Sequence, residues 1–204
     1  QQHRAIAVIR SPNLSLGQQL AEALITGGIR FLEVTWNSDN PGQLVQTLRS
    51  QFPDCSIGVG TIVTPSQLEA AIAAGAQFVF SPHCNPQLIQ LARQAQLPVI
   101  PGALTPSEII SAWEMGATCV KVFPIQAVGG VQYLKNLQTP LGDIPLIPTG
   151  GVTLDNAAAF VANGAIAVGL ASCLCPPDAL QTQNWTQIVQ NTQKLQQNLK
   201  TVKS

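Results

Sequence analysis

The sequence predicts a single-domain α/β fold, a compact (β/α)8 TIM barrel spanning residues 1–204, and three observations carry that expectation. Short β-like runs alternate with longer segments of helical period, giving eight strand-and-helix units. A small motif recurs before successive strands: Ala74-Gly75-Ala76, Met115-Gly116-Ala117 and Asn163-Gly164-Ala165. Glycine there supplies the left-handed cap that ends a helix and returns the chain to the sheet. No full Gly-x-Gly-x-x-Gly sequence is present, so closure into a barrel is favoured over a doubly wound sheet.

The strands are expected at 5–10, 30–36, 56–60, 77–81, 97–101, 118–123, 144–149 and 165–169. The first helix carries Leu16, Leu20, Ala23 and Leu24 and stops at Gly27-Gly28. Pro65, Pro86 and Pro106 open the next three, where the missing N–H of proline costs nothing. A fifth runs from Asp155 to Asn163. The last starts at Trp185 and sets Ile188, Val189, Leu195 and Leu199 on one face. No linker, low-complexity segment or second domain interrupts this order.

Composition narrows the function. Hydrophobic residues make up 46% of the chain and charged ones only 10%, so burial is extensive. The net charge is zero, which leaves no electrostatic footprint for nucleic acid or an anionic membrane. No apolar run reaches spanning length and no signal peptide opens the sequence, so a cytoplasmic protein is expected. Cys55, Cys84, Cys119, Cys173 and Cys175 lack ligand spacing and read as free thiols. His83-Cys84 has no second histidine nearby, so no metal site is expected.

Two charges stand where charges are expensive. Lys135, Lys194, Lys200 and Lys203 occupy polar text, but Lys121 lies inside Thr118-Cys119-Val120-Lys121-Val122-Phe123-Pro124. An ammonium there is desolvated at considerable cost or gives up its proton, and a neutral amine is a nucleophile suited to Schiff-base chemistry. A salt bridge or a side chain snorkelling to the rim is the plainer alternative. Glu33 lies likewise inside Phe31-Leu32-Glu33-Val34-Thr35-Trp36. Mutual neutralisation would account for the pair, yet buried pairs are weak stability devices. An acid/base and a nucleophile sharing a cleft explain them better.

In a barrel, active sites form where strands end. Arg10, Thr35, Thr61, Thr149-Gly150-Gly151 and Gly169 to Ser172 all fall at such ends. The turns after strands seven and eight read as a phosphate site, because glycine lets backbone N–H groups approach an anion. No Gly-Lys-Ser/Thr sequence supports a nucleotide loop. Arg10 offers a bidentate grip on a carboxylate, or equally a rim salt bridge. Phe78, Phe80 and Trp36 have no evident task beyond filling the interior.

Gly28-x-Arg30-x-Leu32-Glu33-Val34-Thr35, Gly58-Val59-Gly60-Thr61, Ser81-Pro82-His83, Pro101-Gly102, Lys121-Val122-Phe123-Pro124 and Pro148-Thr149-Gly150-Gly151 together resemble the 2-keto-3-deoxy-6-phosphogluconate (KDPG) aldolase family, from about residue 5 to 176. The resemblance implies a class I aldehyde-lyase without metal or other cofactor, usually a homotrimer of (β/α)8 barrels. Its small-molecule partners would be a phosphorylated 2-keto-3-deoxy sugar acid and pyruvate. Carried over, Lys121 matches the Schiff-base lysine of Lys-x-Phe-Pro, with Phe123 lining the substrate site. Glu33 matches the general acid/base, and Thr61 and Thr149 the pyruvate pocket. Gly150, Gly151, Gly169 and Ser172 match the phosphate loops.

One departure stands out. Many gluconate-type members have arginine where this chain has Asn37, and Trp36-Asn37-Ser38 looks closer to the Leu-Asn-Ser of 6-phosphogalactonate aldolases. Those relatives carry an arginine at the end of strand one, so Arg10 is expected to hold the substrate carboxylate. The C4 epimer is therefore open between the two series, as is use of unphosphorylated 4-hydroxy-2-ketoglutarate. A phosphosugar epimerase or synthase, or a non-catalytic binding barrel, are the competing classes.

Overall fold

The computed structural model describes residues 3–202, so Lys203 lies outside the described residues. The order is β1 (Ala5–Ile9), α1 (Leu14–Thr26), β2 (Phe31–Thr35), α2 (Pro41–Gln51), β3 (Ser56–Gly60), α3 (Pro65–Ala73), β4 (Val79–Phe80) and α4 (Pro86–Gln94). Then follow β5 (Val99–Ile100), β6 (Gly102–Ala103), α5 (Pro106–Glu114), β7 (Val120–Val122), a 3-10 turn (Ile125–Val128) and α6 (Val131–Leu141). The chain ends with β8 (Leu146–Pro148), α7 (Ala157–Ala162), β9 (Val168–Leu170), α8 (Pro177–Gln181) and α9 (Trp185–Lys200).

Every strand pairing among the described residues is parallel. One sheet runs β5-β4-β3-β2-β1-β9 and the other β6-β7-β8. A bridge between Thr149 and Gly169 continues from β8 toward β9. Only Pro101 separates β5 from β6, and a proline has no N–H to give to a ladder. The carbonyl of Pro101 still accepts from the Lys121 N–H at 2.9 Å. The outcome is a curled parallel α/β sheet with helices outside it.

The expected helix signals operate as local chemistry. Thr64 and Thr105 form capping boxes with Gln67 and Glu108, and Asn13 and Asn85 cap α1 and α4 through their side chains. Gly75, Gly116 and Gly164 take φ of +81°, +91° and +97°, the left-handed return that the recurring motif predicts. Three helices fall outside the sequence expectation: α2, α6 and the five-residue α8. In α2, Pro41 holds the first helical position, but Asn40 caps without its side chain and Gly42 weakens the first turn. Pro140 lies inside the last turn of α6, where a proline reads as a breaker. The strand expected at 97–101 is split by Pro101, and that at 77–81 contracts to Val79–Phe80.

Strand residues alternate in period two. Ala5, Ala7 and Ile9 of β1, Leu32 and Val34 of β2, and Val120 and Val122 of β7 join the large cluster beneath the helices. The intervening residues face the concave side. There Ile6, Phe78, Phe80, Ile100, Cys119, Ile147 and Ala167 form a second apolar cluster toward the strands' N-terminal ends. Helix α9 packs against α1, which brings the two ends of the described chain together. No helix among the described residues is long and apolar enough to cross a membrane.

Candidate active site

A cavity of about 630 Å³ opens at the C-terminal ends of the strands. It takes one residue or more from or just after most strands: Arg10 after β1, Glu33 and Thr35 from β2, Thr61 after β3, Lys121 from β7 and Phe123 after it, Thr149 after β8 and Gly169 from β9. Gly150, Gly151 and Ser172 also line it. Positions far apart in the chain converge because parallel strands deliver all their C-terminal ends to one side.

Register places the two buried charges. Glu33 pairs with Val8 on one side and Gly58 on the other, and Lys121 with Gly102 and Ile147. Glu33 is 2% exposed and Lys121 is 7% exposed. Space for the carboxylate comes from Gly60, where an added Cβ would meet Glu33 Oε1 at 1.7 Å. Lys121 Nζ lies 4.8 Å from the centre of the Phe123 ring and 5.6 Å from that of Phe80, close enough for cation–π attraction. Burial pushes the Glu33 carboxyl above its ordinary value, and the charges of Lys121 and then Arg10 pull it part of the way back. Among the described residues, no contact ion pair joins Glu33 to Lys121; they act on each other through space.

The rim combines strain with unpaired polar groups. Thr61, a β-branched residue, holds φ of +61°, a costly conformation that clusters at functional sites. Thr149 is 9% exposed and its Oγ1 has no hydrogen-bond partner. Gly150 and Gly151 hold φ of +85° and +88°, and a Cβ on Gly151 would meet Gln126 Cβ at 2.3 Å. At Gly169 a Cβ would meet Thr149 Oγ1 at 2.5 Å. Glycine is therefore required at these turns, by left-handed backbone at 150 and 151 and by close packing against Gln126 and Thr149.

The structure brings together Lys121, Glu33, Arg10, Thr61, Thr149, Phe123, Gly150, Gly151, Gly169 and Ser172. Asn37 is not among the lining residues; it stands exposed on the turn leaving β2. Arg30, Arg49 and Arg93 donate to backbone carbonyls of Ile25, Gly75 and Met115, so Arg10 is the arginine of the cavity wall. Phe80, expected only to fill space, borders the Lys121 amine with its ring. Its spacing two residues beyond Phe78 on an inward-facing column is the signal available in the sequence.

A buried amine beside a buried carboxyl, in a cavity that glycine turns also line, can add to a carbonyl, move protons and hold an anion. Known proteins are similar to this chain along nearly its whole length. The 2-dehydro-3-deoxy-phosphogluconate aldolase of Treponema pallidum is 34% identical over 191 residues, covering 94% of this chain and 91% of its own. A crystal structure of KDPG aldolase from Legionella pneumophila, with pyruvate captured as a covalent carbinolamine intermediate, superposes with a TM-score of 0.88 at 33% identity, covering 95% and 94% of the two chains. A native KDPGal structure gives a TM-score of 0.89 at 28% identity, covering 97% and 95%. The family model described as KDPG and KHG aldolase matches residues 1–191, and the chain belongs to that aldolase family.

Proposed function

We propose that this family member cleaves 2-dehydro-3-deoxy-6-phosphogluconate to pyruvate and glyceraldehyde 3-phosphate through a Schiff base on Lys121. The observation that carries the reading is the meeting of Lys121 and Glu33, both buried, in a cavity that Gly150, Gly151 and Gly169 also line. Lys121 Nζ adds to the C2 carbonyl, and the carbinolamine loses water to give an iminium. Deprotonation of the C4 hydroxyl breaks the C3–C4 bond, and its electron pair flows into the iminium to form an enamine. Glyceraldehyde 3-phosphate leaves; protonation at C3 and addition of water then release pyruvate and the free amine.

Glu33 moves the protons in this scheme. Burial raises its pKa and so favours the protonated form, while Lys121 and Arg10 favour the carboxylate, opposing influences that suit a group that both takes and returns protons. Thr61 and Thr149 face the pyruvate end, and the unpartnered Thr149 Oγ1 has a hydrogen bond to give. Backbone N–H groups of Gly150 and Gly151 and of the Gly169 to Ser172 turn hold the phosphate, remote from the breaking bond, so its binding orients the reacting end. Arg10 grips the substrate carboxylate. The scheme works in one domain with a closed (β/α)8 barrel, in which β5 and β6 are halves of one strand and the Thr149–Gly169 bridge is the seam. Homotrimeric assembly and a cytoplasmic location follow from the resemblance to the family.

The galactonate epimer is the second reading. It is favoured by Arg10 in the wall and by Asn37 standing outside it, which leaves Asn37 to bias the C4 epimer from the rim turn. Borohydride reduction with pyruvate present, followed by intact-mass and peptide analysis, tests the chemistry. A pyruvyl adduct on Lys121 is expected, and its absence rejects the Schiff base. Turnover of both epimers and of 4-hydroxy-2-ketoglutarate ranks the substrates.

A further inference from the structure

The turn after β2 contains a buried hydroxyl that the chemistry does not use. Ser38 Oγ accepts the backbone N–H of Ser11 at 3.1 Å and shares a hydrogen bond with Thr35 Oγ1 at 3.2 Å. The Asp39 N–H donates to the Ser11 carbonyl at 3.0 Å, and the Ser38 N–H to the Thr35 carbonyl at 2.9 Å. Ser11, Thr35 and Ser38 are all buried. Both polar groups of the Ser11 backbone are therefore held by residues 38 and 39, directly beside Arg10.

Arg10 itself is exposed, so packing does little to fix its side chain. Where its charge stands depends on the backbone that carries it. We propose that Ser38 is a positioning residue: its hydroxyl ties the Arg10–Ser11 peptide to the end of β2 and so sets the guanidinium at the cavity that Glu33 occupies. Serine suits the task because one hydroxyl can accept from Ser11 and still bond Thr35. Alanine leaves the buried Ser11 N–H without its partner, which favours a shifted loop. A displacement of about 1 Å at a substrate-orienting group is enough to cost up to roughly 10²-fold. The inference rests on the proposed carboxylate grip of Arg10.

The test is a double-mutant cycle with Ser38→Ala, Arg10→Ala and the pair, alongside Ser38→Thr. We expect Ser38→Ala to raise KM for the keto acid about tenfold with kcat nearly unchanged. Added to Arg10→Ala it should raise KM no further, because it acts through the same group. Ser38→Thr keeps the hydroxyl and should restore most of the affinity. An unchanged KM in Ser38→Ala, or effects that simply add in the pair, overturns the proposal while leaving the Arg10 grip intact. If Arg10→Ala alone leaves KM unchanged, it is the grip that fails. Amide hydrogen exchange at Ser11 then decides the tether: faster exchange in Ser38→Ala upholds it, and unchanged exchange overturns it.

Discussion

Along the concave face of the sheet, Ile6 is followed two residues later by Val8 and then Arg10, Phe31 by Glu33 and Thr35, Cys119 by Lys121 and Phe123, and Ile147 by Thr149 and Gly151. The N-terminal member of each column borders an apolar cavity of about 490 Å³ that Phe31, Phe78, Phe80, Ile100 and Cys119 also line. Later members border the cavity with Lys121 and Glu33. One step of the strand period separates a region built for burial from a region built for chemistry. The contrast explains the pKa behaviour at both ends: burial pushes the Cys119 thiol up to about 12, and it also raises Glu33. At Glu33, however, two cations oppose the shift.

Lys121→Met is the severest way to break that division, since it extends the apolar column of Cys119 through the position of the amine. Methionine suits the surroundings and the fold should persist, while cleavage and borohydride trapping vanish because the amine is gone. Trapping that survives in this variant would move the nucleophile elsewhere. Glu33→Gln comes next. It keeps shape and removes the proton shuttle, and turnover should fall about 10²- to 10⁴-fold, measured by pyruvate release. A loss of only a few-fold would make Glu33 a counter-ion for Lys121.

Much of this contrast is legible in the chain. Lys121 and Glu33 announce themselves as charges in β-like runs, and the glycine turns after Thr149 and at Gly169 fall at expected strand ends. Helices with proline starts and side-chain caps are readily legible too. The helix α6, with Pro140 inside it, is not, and α2 is missed despite its Pro41 start because Asn40 makes no side-chain cap and Gly42 follows. Contacts between strands are harder still to foresee. That Gly60 makes room for Glu33, or that Phe80 borders Lys121, depends on which residues become neighbours across the sheet. Ser38 stands out in the sequence only as part of a motif, because its role arises from a partner on another loop.

At the apolar end, Phe78→Ala should separate stability from activity. The ring packs edge-on to Phe80, and the space beside it is kept by Gly58, where a Cβ would come within 2.3 Å of it. Loss of a buried phenylalanine typically costs about 3–5 kcal/mol, so the denaturant midpoint should drop clearly. Trapping of pyruvate on Lys121 at a temperature where the variant is folded should stay within a few-fold of wild type. A collapse of trapping with the fold intact would mean that the two ends do not act separately.

The mildest effect is a stability difference that depends on pH. Burial raises the Glu33 pKa in the folded state above the ordinary 4.5, so the native protein keeps this proton to higher pH than the unfolded chain. The corresponding stability is fully present below pH 4.5 and is lost as pH rises through the raised folded value. Glutamine cannot titrate and escapes that loss. Glu33→Gln should therefore melt higher than wild type by a margin that grows from pH 4 to pH 8, a tenfold difference in proton affinity between folded and unfolded states being worth about 1.4 kcal/mol. Both proteins are to be melted across that range at fixed ionic strength. A margin that shrinks with rising pH would show that the attraction of Lys121 and Arg10 outweighs burial, and that the buried carboxyl is held ionised by its two cations.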